Sequence, residues 1–232
     1  MDSIGFQVAF DGQYLQQPTT GTGQYSLQLW RALSARPDAG CLVLIQPDRR
    51  VPPRAALVPG RPLRVESVSG PAWMRGRLRK VWWEQRGLSL GTRHGAIDLL
   101  HIPTFAGPRF GRLPFVMTIH DMIPSIFPEY GNSTAMRVYR TIVTGAAKRA
   151  RLIITDSDFS RSDIIRILGI SPDRIRVIPL AAGPEMRPGT NPDAENALRA
   201  RWGLNGPVVI NFDGLDVRKN VRSLIEGFGR AL

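Results

Sequence analysis

The sequence is poor in the residues that build disulfide or metal chemistry. Cys41 is the single cysteine among 232 residues, so no disulfide can form within the chain. The three histidines, His94, His101 and His120, are too scattered for zinc-ligand spacing. No apolar run approaches the roughly 18 residues that a membrane-crossing helix needs. The N-terminus, Met1 to Gly5, lacks the basic-then-apolar order of a secretion signal, so a cytoplasmic protein is expected. Acid is scarce too, with 19 Asp and Glu against 31 Lys and Arg, a net charge of +12. Lysine is nearly absent: Lys80, Lys148 and Lys219 are the only three, and the other cations are arginine.

What is present describes a globular α/β chain. Hydrophobic residues make up 43% and charged residues 22%, which excludes a disordered or fibrous class. Short apolar runs at 5–10, 41–45, 97–101, 115–119, 152–155 and 175–178 read as buried strands. Between them, helical spacing is predicted after Gly21 (Tyr25, Leu29 and Leu33 on one face) and over 72–88, 133–150 and 158–168. Strands alternating with helices predict a doubly wound, mostly parallel, Rossmann-like sheet, in which ligands sit beyond the carboxyl ends of the strands. The expected division is a first domain over 1–186, a Pro/Gly/Asn-rich linker with a short helix over 187–204, and over 205–232 the opening of a second domain. That opening is one strand, Pro207–Ile210, one turn and one helix from Val221.

The turn, 211–220, carries Arg218 and Lys219 at a helix start. Free N–H groups and the positive end of a helix dipole bind anions there, and two cations add full charge, which fits a phosphate or diphosphate. A solvated surface pair is the other reading. Gly21-Thr22-Gly23 opens a helix but lacks the third glycine and the tight strand-to-helix turn of a dinucleotide fingerprint, because Ser26 stands in its place. It can still bring backbone close to a phosphate. His120 falls just past the strand at 115–119, where an imidazole can hydrogen-bond a substrate hydroxyl or phosphate. Asp156-Ser157-Asp158 could hold a divalent metal, and activity lost on chelation would reveal it. The helical pattern that follows favours capping by Ser157 or Asp158 instead.

The basic residues gather. Ten cations lie between Asp48 and Leu88 against three acids. In the 72–88 helix a stripe of Met74, Leu78, Val81, Trp82 and Gln85 is predicted to face the core, leaving Trp83 on the other face with Arg75, Arg79 and Arg86. That face could grip an acidic acceptor or an anionic membrane. The other reading is that Trp83 packs under a neighbouring loop. Nucleic acid is not expected, since no other basic run is interleaved with stacking aromatics.

Six stretches, in order, give the chain a family likeness: Thr20 to Tyr25, Trp83-Glu84-Gln85, Thr118 to Asp121, Thr155 to Ser160, Val177 to Leu180, and Gly214 to Asn220. Together they resemble the family 4 retaining glycosyltransferases of GT-B fold. The resemblance implies two Rossmann-like domains around a cleft and a nucleotide-diphosphate sugar as donor, with no obligatory metal or other cofactor. It implies that Gly21 and Gly23 approach the donor diphosphate or sugar, that His120 contacts the sugar, and that Arg218 and Lys219 neutralise the leaving diphosphate. Two features depart from the pattern. Asp213 stands where a glycine is usual, and the family's pair of glutamates seven residues apart would lie beyond Leu232, so the chain is expected to hold only part of a donor site.

The leading expectation is transfer of a hexose, mannose first among the candidates, to a lipid-linked or polysaccharide acceptor in cell-envelope or exopolysaccharide synthesis. It would take place in the cytoplasm, with peripheral contact at the inner membrane face. The alternative is a non-catalytic domain that binds an acceptor or membrane surface.

Overall fold

A computed structural model describes residues 6–48, 64–93, 96–127, 129, 133–183, 186, 191–211 and 219–231. Contacts divide the chain into two compact units, Met1–Ala181 and Ala182–Leu232.

The first unit is built on seven parallel strands: β1 (Gln7–Asp11), β2 (Cys41–Pro47), β3 (Arg64–Val68), β4 (Leu99–Ile102), β5 (Phe115–Thr118), β6 (Leu152–Thr155) and β7 (Ile175–Val177). Their order is β3-β2-β1-β4-β5-β6-β7, with β1 paired to β2 on one side and to β4 on the other. The winding therefore reverses between β1 and β4, which is where a doubly wound sheet opens its ligand crevice. β3 was not expected from the sequence. Its charged residues, Arg64 at the start and Glu66 in the middle, hide the apolar signal, and it forms at the sheet edge beside β2.

Alternation along β1 sends its side chains to two cores. Phe10 joins Leu15, Leu27, Trp30 and Leu44 under α1 (Gly21–Ala35), while Ala9 joins the larger cluster with Trp83, Ile102, Met117 and Ile153. The buried side of α1 runs through Leu27, Trp30 and Ser34, with Leu29 and Leu33 only partly covered, so the stripe is rotated from the predicted one. Two later helices match their patterns. In α5 (Thr134–Arg149) the Ser133 hydroxyl caps Met136 N–H, and in α6 (Asp158–Leu168) the Ser157 hydroxyl caps Ser160 N–H. Gly169 ends α6 at φ +64, a left-handed position that favours glycine.

The 72–88 segment departs from a single helix. It begins as α2 (Gly76–Trp82), widens into a π turn over Trp83–Gly87 and closes as α3 (Leu88–Gly91). Trp83 and Glu84, which open the π turn, are both buried, and a single 3.6-residue stripe through the segment fails. Trp83 is 2% exposed, whereas Leu78, predicted for the core, is 64% exposed.

α4 (Ile123–Ile126) is a single turn before α5. The second unit has α7 (Pro192–Trp202), capped by Asn191, and α8 (Val221–Ala231). The predicted strand over 207–210 does not form, and Val209 and Ile210 are largely exposed. A strand needs a neighbour to complete its ladder, and no strand is found in this unit among the described residues.

Candidate active site

The carboxyl edge of the sheet gathers polar groups that the fold itself does not use. Eight buried side-chain atoms among the described residues have no hydrogen-bond partner within the chain. Six of them, on Gln13, His101, Thr104, His120, Thr155 and Asp156, lie at or just past the ends of β1, β4, β5 and β6. Leaving such an atom unsatisfied costs about 1–3 kcal/mol, so a concentration of them at one edge marks a surface built for a polar ligand.

Two neighbouring strands supply the centre. His120 follows β5 and Asp156 follows β6, and His120 Nδ1 stands 2.7 Å from Asp156 Oδ2. Below this pair, Ser160 Oγ donates to the His120 carbonyl at 2.9 Å, tying the loop after β5 to the start of α6. Nε2 of His120 and Oδ1 of Asp156 are among the atoms without partners. From α1, Tyr25 reaches over: its hydroxyl is 3.1 Å from Thr118 Oγ1, and its ring lies 4.6 Å from the imidazole, nearly perpendicular to it. Burial raises the Tyr25 pKa, so the phenol stays protonated.

The glycines at the start of α1 differ in what they do. Thr20 caps this helix by accepting from Gly23 N–H at 3.0 Å. A Cβ on Gly23 would sit 1.9 Å from the Gln17 carbonyl oxygen, so its glycine is required by the fold of the preceding loop. A Cβ on Gly21 would meet nothing within 4 Å, so this glycine is not required by packing of the chain. Arg218 lies outside the described residues. Lys219 is exposed, in the second unit, just before α8.

The expected basic face is corrected in one member. Trp83 is not on it: the π turn buries its indole, and Nε1 donates to Asp11 Oδ1 at 3.1 Å. Arg75 and Arg86 are exposed, and Arg79 is paired with Asp48. The exposed indole here is Trp73, beside Arg75 and Arg77 in sequence.

Behind the edge lies a buried acidic group. Asp11 closes β1 and accepts from Gln13 N–H and the Trp83 indole, yet desolvation, with Glu84 nearby, lifts its pKa to about 7. Glu84 is fully buried. Its Oε1 accepts from Tyr139 and lies 3.4 Å from Lys80 Nζ, and burial raises its pKa as well. The same carboxylates and burial push Tyr14 up to about 12. His101 is held neutral in the opposite sense, its pKa lowered to about 4 by burial beside the Phe10 ring. Sequence reading missed these roles. The signal available was an acid ending an apolar strand, Asp11, and another inside an apolar helical pattern, Glu84.

Asp156 was read with Asp158 as a metal candidate, against a cap by Ser157 or Asp158. Ser157 is the cap, and Asp156 belongs to His120.

A family model described as the glycosyl transferase 4-like domain matches residues 20–181, spanning Gly21, Gly23, Tyr25, His120 and Asp156. The chain belongs to the glycosyl transferase 4-like family. Among curated relatives of this family, the O-antigen chain mannosyltransferase B of Escherichia coli is 26% identical over 240 residues, covering 96% of this chain and 59% of that protein. Among solved structures, Alr3699/HepE of Anabaena in complex with UDP and glucose superposes with a TM-score of 0.61. It is 20% identical, with 98% of this chain and 58% of that one covered. Its complex with UDP-glucose gives 0.57 at 19% identity, covering 97% and 57%. At these identities the superpositions establish the shared fold. The chain spans a little under three fifths of the length of these relatives.

Proposed function

We propose that this glycosyl transferase 4-like chain carries the first domain of a retaining hexosyltransferase. The enzyme would move a sugar from a nucleotide diphosphate to a lipid-linked or polysaccharide acceptor. The observation that carries the reading is the His120–Asp156 pair, standing with Tyr25 and Thr118 at the carboxyl edge of the sheet inside the matched region. The named activity of the Escherichia coli relative and the UDP-sugar held by the Anabaena protein support the same class, and mannose is the first sugar to test.

In this chemistry the bond from the anomeric carbon to the diphosphate breaks, one forms to the acceptor oxygen, and the acceptor's proton leaves. Charge grows on the diphosphate, and Arg218 and Lys219 are the proposed cations that meet it. The backbone at Gly21 is proposed to approach the donor. His120 contacts the sugar. No divalent metal is required in this reading, and chelation leaves transfer unchanged.

The test is transfer of labelled sugar from a panel of uridine and guanosine diphosphate sugars to a lipid-linked acceptor, using the chain extended to its relatives' length. Transfer is expected from one donor, and His120→Ala should lower it about 10- to 100-fold, since leaving a buried sugar hydroxyl without its partner costs about 1–3 kcal/mol. No transfer from any donor, with the protein folded, favours the non-catalytic alternative.

We place the enzyme in the cytoplasm and peripherally on an anionic inner membrane face, for which Trp73 at 72% and Leu78 at 64% exposure, among Arg75 and Arg77, are the supporting observation. Sedimentation with anionic vesicles should pull the chain down at physiological salt, where the Debye length is about 8 Å, and release is expected as it shrinks to about 3 Å near 1 M salt. Trp73→Ala should weaken the binding several-fold. Equal binding to neutral vesicles would refute this orientation.

A further inference from the structure

Asp156 has no assigned role, yet of all the groups at the carboxyl edge it makes the shortest contact with His120. The two residues come from adjacent parallel strands, Thr118 of β5 pairing with Ile154 of β6, so the loops that follow leave the sheet side by side. The cap at Ser157 fixes where α6 begins, and Ser160 Oγ donates to the His120 carbonyl from the third residue of that helix. The 2.7 Å approach is thus set by backbone on both sides.

A carboxylate can only accept a hydrogen bond, so Nδ1 must carry the proton. Neutral His120 then presents a bare lone pair at Nε2. That nitrogen has no partner, and neither does Asp156 Oδ1. A pair serving the fold alone would have its outer atoms satisfied by the chain, as Arg149 is by three main-chain carbonyls. Both outer atoms are buried, and the Tyr25 ring lies 4.6 Å from the imidazole.

We propose that Asp156 is a positioning residue: it holds His120 as the Nδ1–H tautomer, so that Nε2 accepts a hydrogen bond from a hydroxyl of the sugar being transferred. Its last clause rests on the glycosyltransferase reading above. The tautomer does not. The aspartate therefore orients the ring and selects which nitrogen meets the substrate, as a second-layer carboxylate does for a histidine elsewhere.

The tautomer is read from the imidazole nitrogen shifts of His120 in the 15N-labelled chain at pH 8, above the ordinary histidine range. Nδ1 is expected protonated and Nε2 bare. Asp156→Asn should move the population toward Nε2–H while the His101 signals, on β4, stay in place as a control for folding. Asp156→Glu should restore the wild-type pattern in part. In the transfer assay Asp156→Asn is expected to lose 10- to 100-fold, with more of the loss in kcat than in KM. An Nε2–H tautomer in the wild type, an imidazolium at pH 8, or an Asn variant with unchanged shifts overturns the proposal. If the shifts behave as expected and no donor is used by wild type, the positioning stands and the transferase reading falls.

Discussion

Replacing Asp11 with asparagine should make the chain more stable above pH 7, and the gain should shrink as the pH is lowered. The folded protein holds the Asp11 proton until about pH 7, while the unfolded chain releases it near the ordinary 3.8. Between those values the unfolded state binds fewer protons, so the wild type loses stability as pH rises through the window, and the loss is complete above it. A shift of this size corresponds to roughly 2–4 kcal/mol after allowance for relaxation around a buried group. Asparagine has no charge to desolvate and keeps an oxygen for Gln13 N–H and the Trp83 indole. Glu84, which faces Asp11 and is itself met by Lys80 and Tyr139, would lose a like charge next to it. Urea melts of both proteins at pH 5, 6, 7 and 8 give the answer: the two stability curves should diverge with rising pH, and parallel curves would show that Asp11 does not titrate in this range.

His101 tilts the profile the other way. Its folded pKa is about 4, below the ordinary 6.5, so its contribution is present above 6.5 and is lost as pH falls through 4. Across the interval from about 4 to 6.5 the two slopes oppose each other, which is why the asparagine variant, with one of them removed, is the informative protein.

The second large effect is expected at Gly23. An added methyl group would meet the Gln17 carbonyl oxygen at 1.9 Å and its carbon at 2.6 Å, and backbone cannot swing aside as a flexible side chain can. Gly23→Ala should therefore cost about 2–4 kcal/mol and loosen the loop that leads into α1. Gly21→Ala meets nothing within 4 Å, and helix propensity predicts a neutral to slightly stabilising change of up to about 1 kcal/mol. Thermal melts separate the two, and the contrast serves function as well. If Gly21→Ala melts like wild type but loses donor binding, close approach of a ligand to that backbone is the reason. Equal melting of all three proteins would mean that the Gln17 loop yields freely.

The parallel sheet was legible because β-branched apolar runs at regular intervals have few other uses, α5 was legible from its spacing, and α6 from its spacing and its cap. His120 was legible by position, one residue past a strand. Its partner was harder to see, since Asp156 stands 36 residues away and its neighbour Ser157 offered a sufficient local explanation. The burial of Trp83 was legible only as an alternative, an indole packed under a loop, and its place in the core was not. Hydrophobic spacing assumes a constant 3.6 residues per turn, which a π turn over Trp83–Gly87 breaks. The predicted strand over 207–210 failed for a different reason: local pattern reports what a segment would bury, and whether a partner strand is there to pair with it is not a local property.

The sheet order also dictates when the candidate site comes together as the chain folds. β1 meets β4 through pairs such as Val8 with Leu99, and the Gln7 N–H to Asp98 bond spans 91 residues. β2 and β3 can assemble on β1, and β5, β6 and β7 on β4, through shorter loops, but joining those two groups closes the longest one. His120 and Asp156 belong to the second group, whereas Tyr25 belongs to the first. The Tyr25 contact with Thr118 and His120 is consequently made last, at the step that joins the halves, and a fluorescence or exchange probe placed there should report the slowest phase of folding rather than the early collapse.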